Sequence, residues 1–244
     1  MIDVRRADLH THTCCSDGQL TPATLVARAR QCGLRALAVT DHDSIDGWEE
    51  AAEAGRRHGV EVVPGVELSI TVGEEEVHLL GYFFDPDHSG LCEHLKAFQQ
   101  RRLERGVHIV ERLNALGVSL SFEDVLAQAK GQALGRPHVA EALTAEGYVA
   151  TPWEAFEQYL NDSGPAFVEK PLFPAREALA LLHDAGGIGV IAHPGHWTGD
   201  DTLMTLIRAG LDGIETVHPA HDEELTRYYR QIARDFVLLE TGGS

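Results

Sequence analysis

Short apolar runs alternate along the chain with longer segments in which apolar residues recur at helical spacing. Seven of the runs have the length of buried strands and are bounded by polar residues. They cover residues 4–10, 36–40, 60–70, 77–84, 189–193, 213–218 and 236–240. Strands that alternate with helices predict an α/β protein, and this number of strands predicts a distorted (β/α)7 TIM-like barrel.

Capping residues mark several predicted helix starts. Thr21 precedes Pro22 at the start of the first helix, which is the usual chemistry of an N-terminus. From 85 to 165 the alternation stops, and helices with predicted caps at Ser121 and Thr151 take its place. We therefore expect a helical insertion at 85–165 within a barrel formed by residues 1–84 and 166–244.

The charge and composition of the chain limit the kinds of partner that it is expected to bind. The chain has 244 residues, 43% of them apolar, and its 20 basic and 38 acidic side chains give a formal charge of −18. This charge repels nucleic acid and anionic membranes, so long nucleic acid is not an expected partner and a small phosphorylated ligand needs a local positive site. No apolar run is long enough to span a bilayer, and the four cysteines lack a disulfide or zinc-ribbon spacing. We expect a cytoplasmic protein without membrane contact.

Imidazoles and carboxylates recur in or just after the predicted strands. His10 and His12 alternate on the first strand, so both rings can face one ion. Asp17 follows the first strand after a short loop, and the candidates in or just after the other strands are His42, Glu67, His78 and His193. Because the carboxyl ends of barrel strands meet at one mouth, these side chains are expected to form a metal cluster. Asp41 and Asp43 flank His42 and either orient metal ligands or cap the following helix.

Five separated motifs occur in a fixed order along the chain. They are Asp8-Leu9-His10-Thr11-His12 with Ser16-Asp17-Gly18, Thr40-Asp41-His42-Asp43, Pro64-Gly65-Val66-Glu67, His78 with Gly81, and Ala192-His193-Pro194. In this order they resemble the PHP family, named for its polymerase and histidinol phosphatase members. Two further motifs, Gly135-Arg136-Pro137-His138 and His218-Pro219-Ala220-His221, are similar to those of small phosphoesterases that act on nucleotides.

The resemblance implies two to three divalent metal ions. The implied ligands of the first ion are His10, His12 and Glu67. Those of the second are Glu67, His78 and His193, with Glu67 as the bridge. Asp17 and His42 would contribute to a third ion. Mixed imidazole and carboxylate ligands suit Mn²⁺, Zn²⁺ or Fe²⁺, and the sequence does not choose among them.

The implied activity is hydrolysis of a phosphate ester in a small phosphorylated metabolite, with a nucleotide as the predicted substrate. The nucleophile would be a metal-bound hydroxide, so no side chain is predicted to attack. The predicted substrate contacts are Arg136, His138, His218 and His221. Arg136 is the candidate phosphate clamp because a guanidinium binds phosphate with two parallel hydrogen bonds, and a surface helix cap is the alternative.

The sequence departs from the PHP pattern at its end. Similar proteins usually continue after the last strand with Gly-Ser-Asp-x-His, whereas this chain reads Gly242-Gly243-Ser244. The first metal group would then keep two imidazoles and one carboxylate, and a third ion is expected to be weak or absent. Two other functions stay open: a 5'-3' exonuclease that processes oligonucleotides, and a catalytically silent metal-binding module.

Overall fold

The computed structural model describes residues 6–129 and 134–244, so residues 4 and 5 of the first predicted strand lie outside it. The chain forms two compact units, Met1–Leu95 with Leu172–Ser244, and Lys96–Pro171. The second unit overlaps the helical insertion predicted at 85–165 but starts and ends later. The later start has a local reason, because the ring of His94 lies 3.9 Å from the ring of Phe173 within the first unit.

In the part of the chain that the structure describes, the first unit is built on a seven-stranded sheet whose strands pair in chain order. The strands are β1 Arg6–Thr11, β2 Leu34–Val39, β3 Glu61–Val72, β4 Glu75–Tyr82, β5 Ile188–Ile191, β6 Gly213–Val217 and β7 Leu239–Gly242. Only β4 runs antiparallel to its neighbours β3 and β5. The predicted α/β class is confirmed, and each predicted strand overlaps an observed one.

The two outermost strands of the sheet are β1 and β7. Across residues 6–129 and 134–244 no strand ladder joins them, so the closed TIM-like barrel expected from the sequence is not shown. The two strands are nevertheless tied at one end, since the Ser244 amide donates to the His10 carbonyl oxygen at 3.2 Å. The Ser244 hydroxyl also donates to the Asp8 carboxylate at 2.7 Å.

The described α-helices complete both units. In chain order they are α1 Pro22–Gln31, α2 Trp48–His58, α3 Ser89–Ala115, α4 Phe122–Ala129, α5 Arg136–Ala145, α6 Pro152–Ala155, α7 Ala175–Asp184, α8 Asp200–Ala209 and α9 Glu223–Phe236. A short π-helix, Phe156–Leu160, follows α6. None of these helices is long and apolar enough to cross a membrane.

The sheet is buried on both faces, as the alternation along β2 illustrates. Leu37 and Val39 belong to a buried cluster with Val26 of α1 and Ala51 of α2. Ala38, between them, points to the opposite face and belongs to a second cluster inside the unit. Since successive strand residues face opposite sides, both faces exclude water and polar side chains gather where the strands end.

One predicted boundary is wrong. The strand expected at 236–240 begins too early, because Phe236 is the last residue of α9 and β7 starts at Leu239. Helix α9 buries Leu225, Tyr229 and Ala233, which are spaced four residues apart along one helical face. The segment with this helical spacing continues as a helix to Phe236, although the apolar run at 236–240 suggested a strand.

The second unit has its own apolar core and begins α4 with the predicted cap. Ile109 and Leu113 of α3 pack in one buried cluster with residues of α4, α5 and the π-helix. The Ser121 hydroxyl accepts from the Asp124 amide at 3.1 Å, and the Asp124 carboxylate accepts from the Ser121 amide at 3.0 Å. These reciprocal bonds satisfy amide groups that a helix start leaves without partners.

Replacing Thr21 with alanine is expected to lower the free energy of unfolding by about 1 kcal/mol. The Thr21 hydroxyl accepts from the Thr24 amide at 3.3 Å at the start of α1, and alanine leaves that amide without its partner. Urea denaturation monitored by circular dichroism measures the change. Thr21→Ser keeps a hydroxyl and is the control; an alanine variant as stable as the wild type would contradict the capping role.

Candidate metal centre at the carboxyl ends of the strands

Five imidazoles surround the carboxylate of Glu67, which is 1% exposed in the middle of β3. They belong to His10, His12, His42, His78 and His193. The Glu67 Oε2 atom lies 3.3 Å from His10 Nε2, and the same oxygen lies 3.2 Å from His12 Nε2. His42 Nδ1 also lies 3.2 Å from Oε2. The other oxygen, Oε1, lies 2.9 Å from His78 Nδ1 and 3.0 Å from His193 Nε2.

The strand directions explain why these rings meet. His10 and His12 lie at the carboxyl end of β1, and His193 follows the carboxyl end of β5. His78 lies towards the amino end of β4, but β4 is antiparallel to its neighbours, so this part of the strand reaches the same edge. The structure therefore places these residues together at one edge of the sheet.

The donor set fits divalent cations. Glu67 Oε2 and His78 Nδ1 are buried, and neither makes a hydrogen bond with good geometry in spite of the close contacts. Groups of three donor atoms that all lie within 4.8 Å of one another are His10, His12 and Glu67; His42, Glu67 and His78; His12, Asp17 and His42; and His10, Glu215 and His218. Imidazole nitrogens that converge on a carboxylate, with a buried oxygen and a buried nitrogen left without hydrogen-bond partners, are typical of a site for a divalent metal ion.

Charge in the cluster is shared between Glu67 and its imidazoles. Burial alone would raise the pKa of Glu67, but hydrogen-bonding contacts from the imidazoles hold the pKa well below its ordinary value. Burial acts to lower the pKa of His10, and its contacts with Glu215 and Glu67 outweigh this and raise the pKa to about 10. A divalent cation held by these nitrogens would replace the protons that they bind.

Asp17 lies at the open side of the cluster. Its side chain is 59% exposed, with one oxygen 3.2 Å from His12 Nδ1 and the other 3.7 Å from His42 Nε2. The sequence assigned Asp17 and His42 to one group, and the structure brings them together with His12 as a further donor. This group is therefore more complete than the two protein ligands expected for a third ion.

Glu215 is the functional-site residue that the sequence analysis missed. It lies in β6 and is fully buried, and its Oε1 is 3.1 Å from His10 Nδ1. Its Oε2 accepts from the backbone amide of His193 at 2.7 Å. The signal available in the sequence was a carboxylate inside an otherwise apolar strand. A buried carboxylate is tolerated only when hydrogen-bonding or charged partners surround it. The expectation of a single carboxylate beside His10 is incomplete.

Asp41 and Asp43 orient the loops of the cluster. Asp41 accepts from the Thr13 amide at 2.7 Å and from the Ser16 hydroxyl at 2.5 Å, and both donors lie between His12 and Asp17. Asp43 accepts from the Ser69 amide at 2.8 Å, two residues after Glu67. The N-cap of α2 is Gly47, so neither aspartate caps this helix, and orientation of metal ligands stays a prediction for both.

His218 and His221 differ in what their rings leave free. The ring of His218 lies 5.2 Å from that of His193, and its Nδ1 accepts from the Ala220 amide at 3.1 Å. Both ring nitrogens of His221 are engaged by the backbone: Nε2 accepts from the Gly195 amide at 3.1 Å, and Nδ1 lies 3.2 Å from the Thr216 carbonyl oxygen. Only His218 therefore keeps a ring nitrogen, Nε2, without a backbone partner.

Arg136 and His138 lie in the second unit, in the first turn of α5. Arg136 contacts the Asp162 carboxylate at 2.7 Å and the Leu160 carbonyl oxygen at 2.9 Å. His138 Nδ1 accepts from the Gly135 amide at 3.1 Å and so caps the helix start. Their predicted contact with substrate stays a prediction.

Both the sequence and the fold of this chain match those of known proteins. A family model described as the PHP domain matches residues 8–162. A 5'-3' exoribonuclease of Haemophilus influenzae is 33% identical over 247 residues, which cover 98% of this chain and 89% of that protein. A 3',5'-nucleoside bisphosphate phosphatase of Chromobacterium violaceum is 34% identical over 220 residues, 88% of this chain and 77% of that protein. A crystal structure of a candidate metal-dependent phosphoesterase from Bifidobacterium adolescentis matches with a TM-score of 0.83 at 35% identity, over 99% of this chain and 87% of that chain.

Proposed function

This chain belongs to the PHP domain family, and from that premise we propose that it hydrolyses a phosphate ester of a nucleotide, with a nucleoside 3',5'-bisphosphate as the first substrate to test. It is a metal-dependent phosphoesterase like its relatives. In the proposed reaction the oxygen of water bonds to phosphorus, the ester P–O bond breaks, and the nucleoside oxygen leaves with a proton. Inorganic phosphate and a nucleoside monophosphate are the products.

The observation that carries the proposal is the division of imidazoles between the two oxygens of Glu67. His10 and His12 face Oε2, whereas His78 and His193 face Oε1. Such a division suits a carboxylate that would be shared between two ions. The proposed ligands are thus His10, His12 and Glu67 for one ion and Glu67, His78 and His193 for the other, while Asp17 and His42 serve a third position.

When bound, divalent ions at these positions would supply Lewis acidity towards a water molecule and towards the phosphoryl oxygens. Mn²⁺, Zn²⁺ and Fe²⁺ all suit this mixture of ligands. The chain's own contribution is to hold the ligands in place. Asp41 fixes the loop that carries Asp17, and Glu215 fixes His10 through its ring and His193 through its backbone.

His218 is the proposed hydrogen-bond donor to a phosphoryl or leaving oxygen. Its Nδ1 accepts from the Ala220 amide, so the neutral ring carries its proton on Nε2. The ring lies beside His10 and His193, at centroid distances of 5.7 Å and 5.2 Å. A protonated Nε2 next to the metal ligands can donate a hydrogen bond to substrate but cannot itself bind a metal through that atom.

Purified protein reconstituted with Mn²⁺ is expected to release inorganic phosphate from adenosine 3',5'-bisphosphate faster than from histidinol phosphate. The small substrate suits a chain whose formal charge of −18 repels long polyanions. Phosphate release is measured with and without prior removal of metal by a chelator. Hydrolysis that continues at full rate in the chelated protein would contradict the proposed metal dependence.

The second candidate function is removal of nucleotides from the 5' end of a short RNA. It is supported by the similarity to the Haemophilus influenzae exoribonuclease, which covers 89% of that protein. The same metal ligands would serve both reactions, because each breaks a P–O bond by attack of water. A 5'-phosphorylated pentaribonucleotide compared with adenosine 3',5'-bisphosphate by kcat/KM separates the two functions.

The third alternative, a silent metal-binding module, is tested by the same preparation. We expect at least two ions per chain after reconstitution, and loss of hydrolysis in the His193→Ala variant. Metal binding without hydrolysis of either substrate would favour the silent module.

A further inference from the structure

The turn that follows His193 is held rigidly beside the metal cluster. The Thr198 amide donates to the Pro194 carbonyl oxygen at 3.1 Å, which folds the chain back after His193. Gly195, inside this turn, has a φ of 56°, a conformation that glycine adopts without strain. Its amide donates to His221 Nε2 at 3.1 Å, and its carbonyl oxygen accepts from the Tyr229 hydroxyl.

Trp197 is the residue that this turn presents. Its indole packs against the backbone of Gly195, where an added β-carbon would come within 2.5 Å of the indole atoms Cη2 and Cζ2. Yet 65% of the side chain is exposed. A large aromatic surface is thus held against the turn at one side and open to solvent at the other, where a flat group can stack on it.

The contacts place this indole next to the catalytic region of the first unit. Gly195 contacts His221, the ring of His221 lies 5.9 Å from that of His218, and the ring of His218 lies 5.2 Å from that of His193. The turn that follows the cluster residue His193 therefore also carries the exposed indole. A flat apolar group attached to the phosphorylated sugar is the chemistry that an exposed indole recognises.

We propose that Trp197 is the stacking platform for the nucleobase of the substrate. The inference rests on the proposed nucleotide phosphoesterase function and adds a specificity-determining residue to it. Stacking on an indole uses the face that every base has, so the platform selects nucleotides over phosphorylated sugars without selecting one base. The function of the turn is then twofold, since it holds the ligand His193 and the base-binding Trp197 in one rigid segment.

Two substrates and three variants test the proposal. Adenosine 3',5'-bisphosphate and the corresponding abasic methylriboside 3,5-bisphosphate differ only in the base. In Trp197→Ala we expect KM for the adenosine substrate to rise about tenfold, the size of one lost base–aromatic stack, and KM for the abasic substrate to stay unchanged. Trp197→Phe keeps an aromatic ring and should stay close to the wild type. Trp153→Ala removes another exposed tryptophan, 73% exposed in the second unit, and is the matched control.

Fluorescence gives a readout that does not depend on turnover. Adenosine 5'-monophosphate is expected to quench the tryptophan emission of the Mn²⁺-loaded wild type and of Trp153→Phe, but not that of Trp197→Phe. An unchanged KM in Trp197→Ala, or an equal rise of KM for both substrates, would overturn the stacking role while the phosphoesterase function stood. Absence of hydrolysis of either substrate by the wild type would instead overturn the proposed function.

Discussion

Replacing Glu67 with glutamine is expected to lower kcat by about a thousandfold or more and to remove most of the bound divalent metal. Both oxygens of Glu67 face imidazoles, so the residue is positioned to serve two ions at once. Glutamine has nearly the same shape but carries a single oxygen and no charge, so it cannot bridge two cations. Phosphate release and metal content per chain, measured on the same preparation, report the two effects.

Glu61→Gln is the matched control for this variant. Glu61 is an exposed carboxylate at the other end of the same strand, β3, and the substitution makes the same change in charge. It should leave metal content and kcat unchanged. If Glu67→Gln kept the metal content of the wild type, the bridging role would be refuted, even if the activity fell.

Local signals in the sequence predicted most of the elements of the fold. Caps such as Thr21 and Ser121 act within four residues of the chain, so their hydrogen bonds can be expected before any tertiary contact is known. The predicted start of β7 was wrong because α9 continues through Phe236, and the buried residues that define this helix, such as Tyr229, lie outside the apolar run. Closure of the sheet depends on pairing between strands at opposite ends of the chain, and short-range sequence patterns do not predict such pairing.

The candidate site was predictable where strand ends bring donors together. His10, His12 and Glu67 needed only the rule that the ends of neighbouring strands share an edge, together with the motif order. The remaining roles depend on partners that are far apart in sequence. Glu215 contacts a histidine 205 residues away, and His221 contacts the backbone of Gly195, 26 residues away. The motif around His218 made His221 a predicted substrate contact, and this stays a prediction; the structure shows its ring nitrogens in contact with the Gly195 amide and the Thr216 carbonyl oxygen.

Replacing Glu215 with glutamine is expected to weaken metal binding tenfold to a hundredfold, the usual effect of losing a carboxylate that orients a ligating histidine. The carboxylate has two acceptor oxygens, one for His10 Nδ1–H and one for the His193 amide. Glutamine has a single acceptor oxygen. If that oxygen keeps the His193 amide, the side-chain NH₂ faces His10 Nδ1 and forces the ring proton onto Nε2, the nitrogen that faces Glu67.

Calorimetric titration with Mn²⁺ measures the loss of affinity, and saturating Mn²⁺ should restore much of the activity, because Glu215 acts through His10 and His193. Glu240→Gln is the control, since Glu240 is an exposed carboxylate on the adjacent strand β7. A simple loss of stability would lower the denaturation midpoint without changing the affinity of the folded protein for Mn²⁺. Unchanged affinity for Mn²⁺ in Glu215→Gln would therefore show that the buried carboxylate supports the fold alone. A weakened affinity, together with a His10 ring proton that ¹⁵N NMR finds on Nε2, would establish that Glu215 selects the metal-binding tautomer of His10.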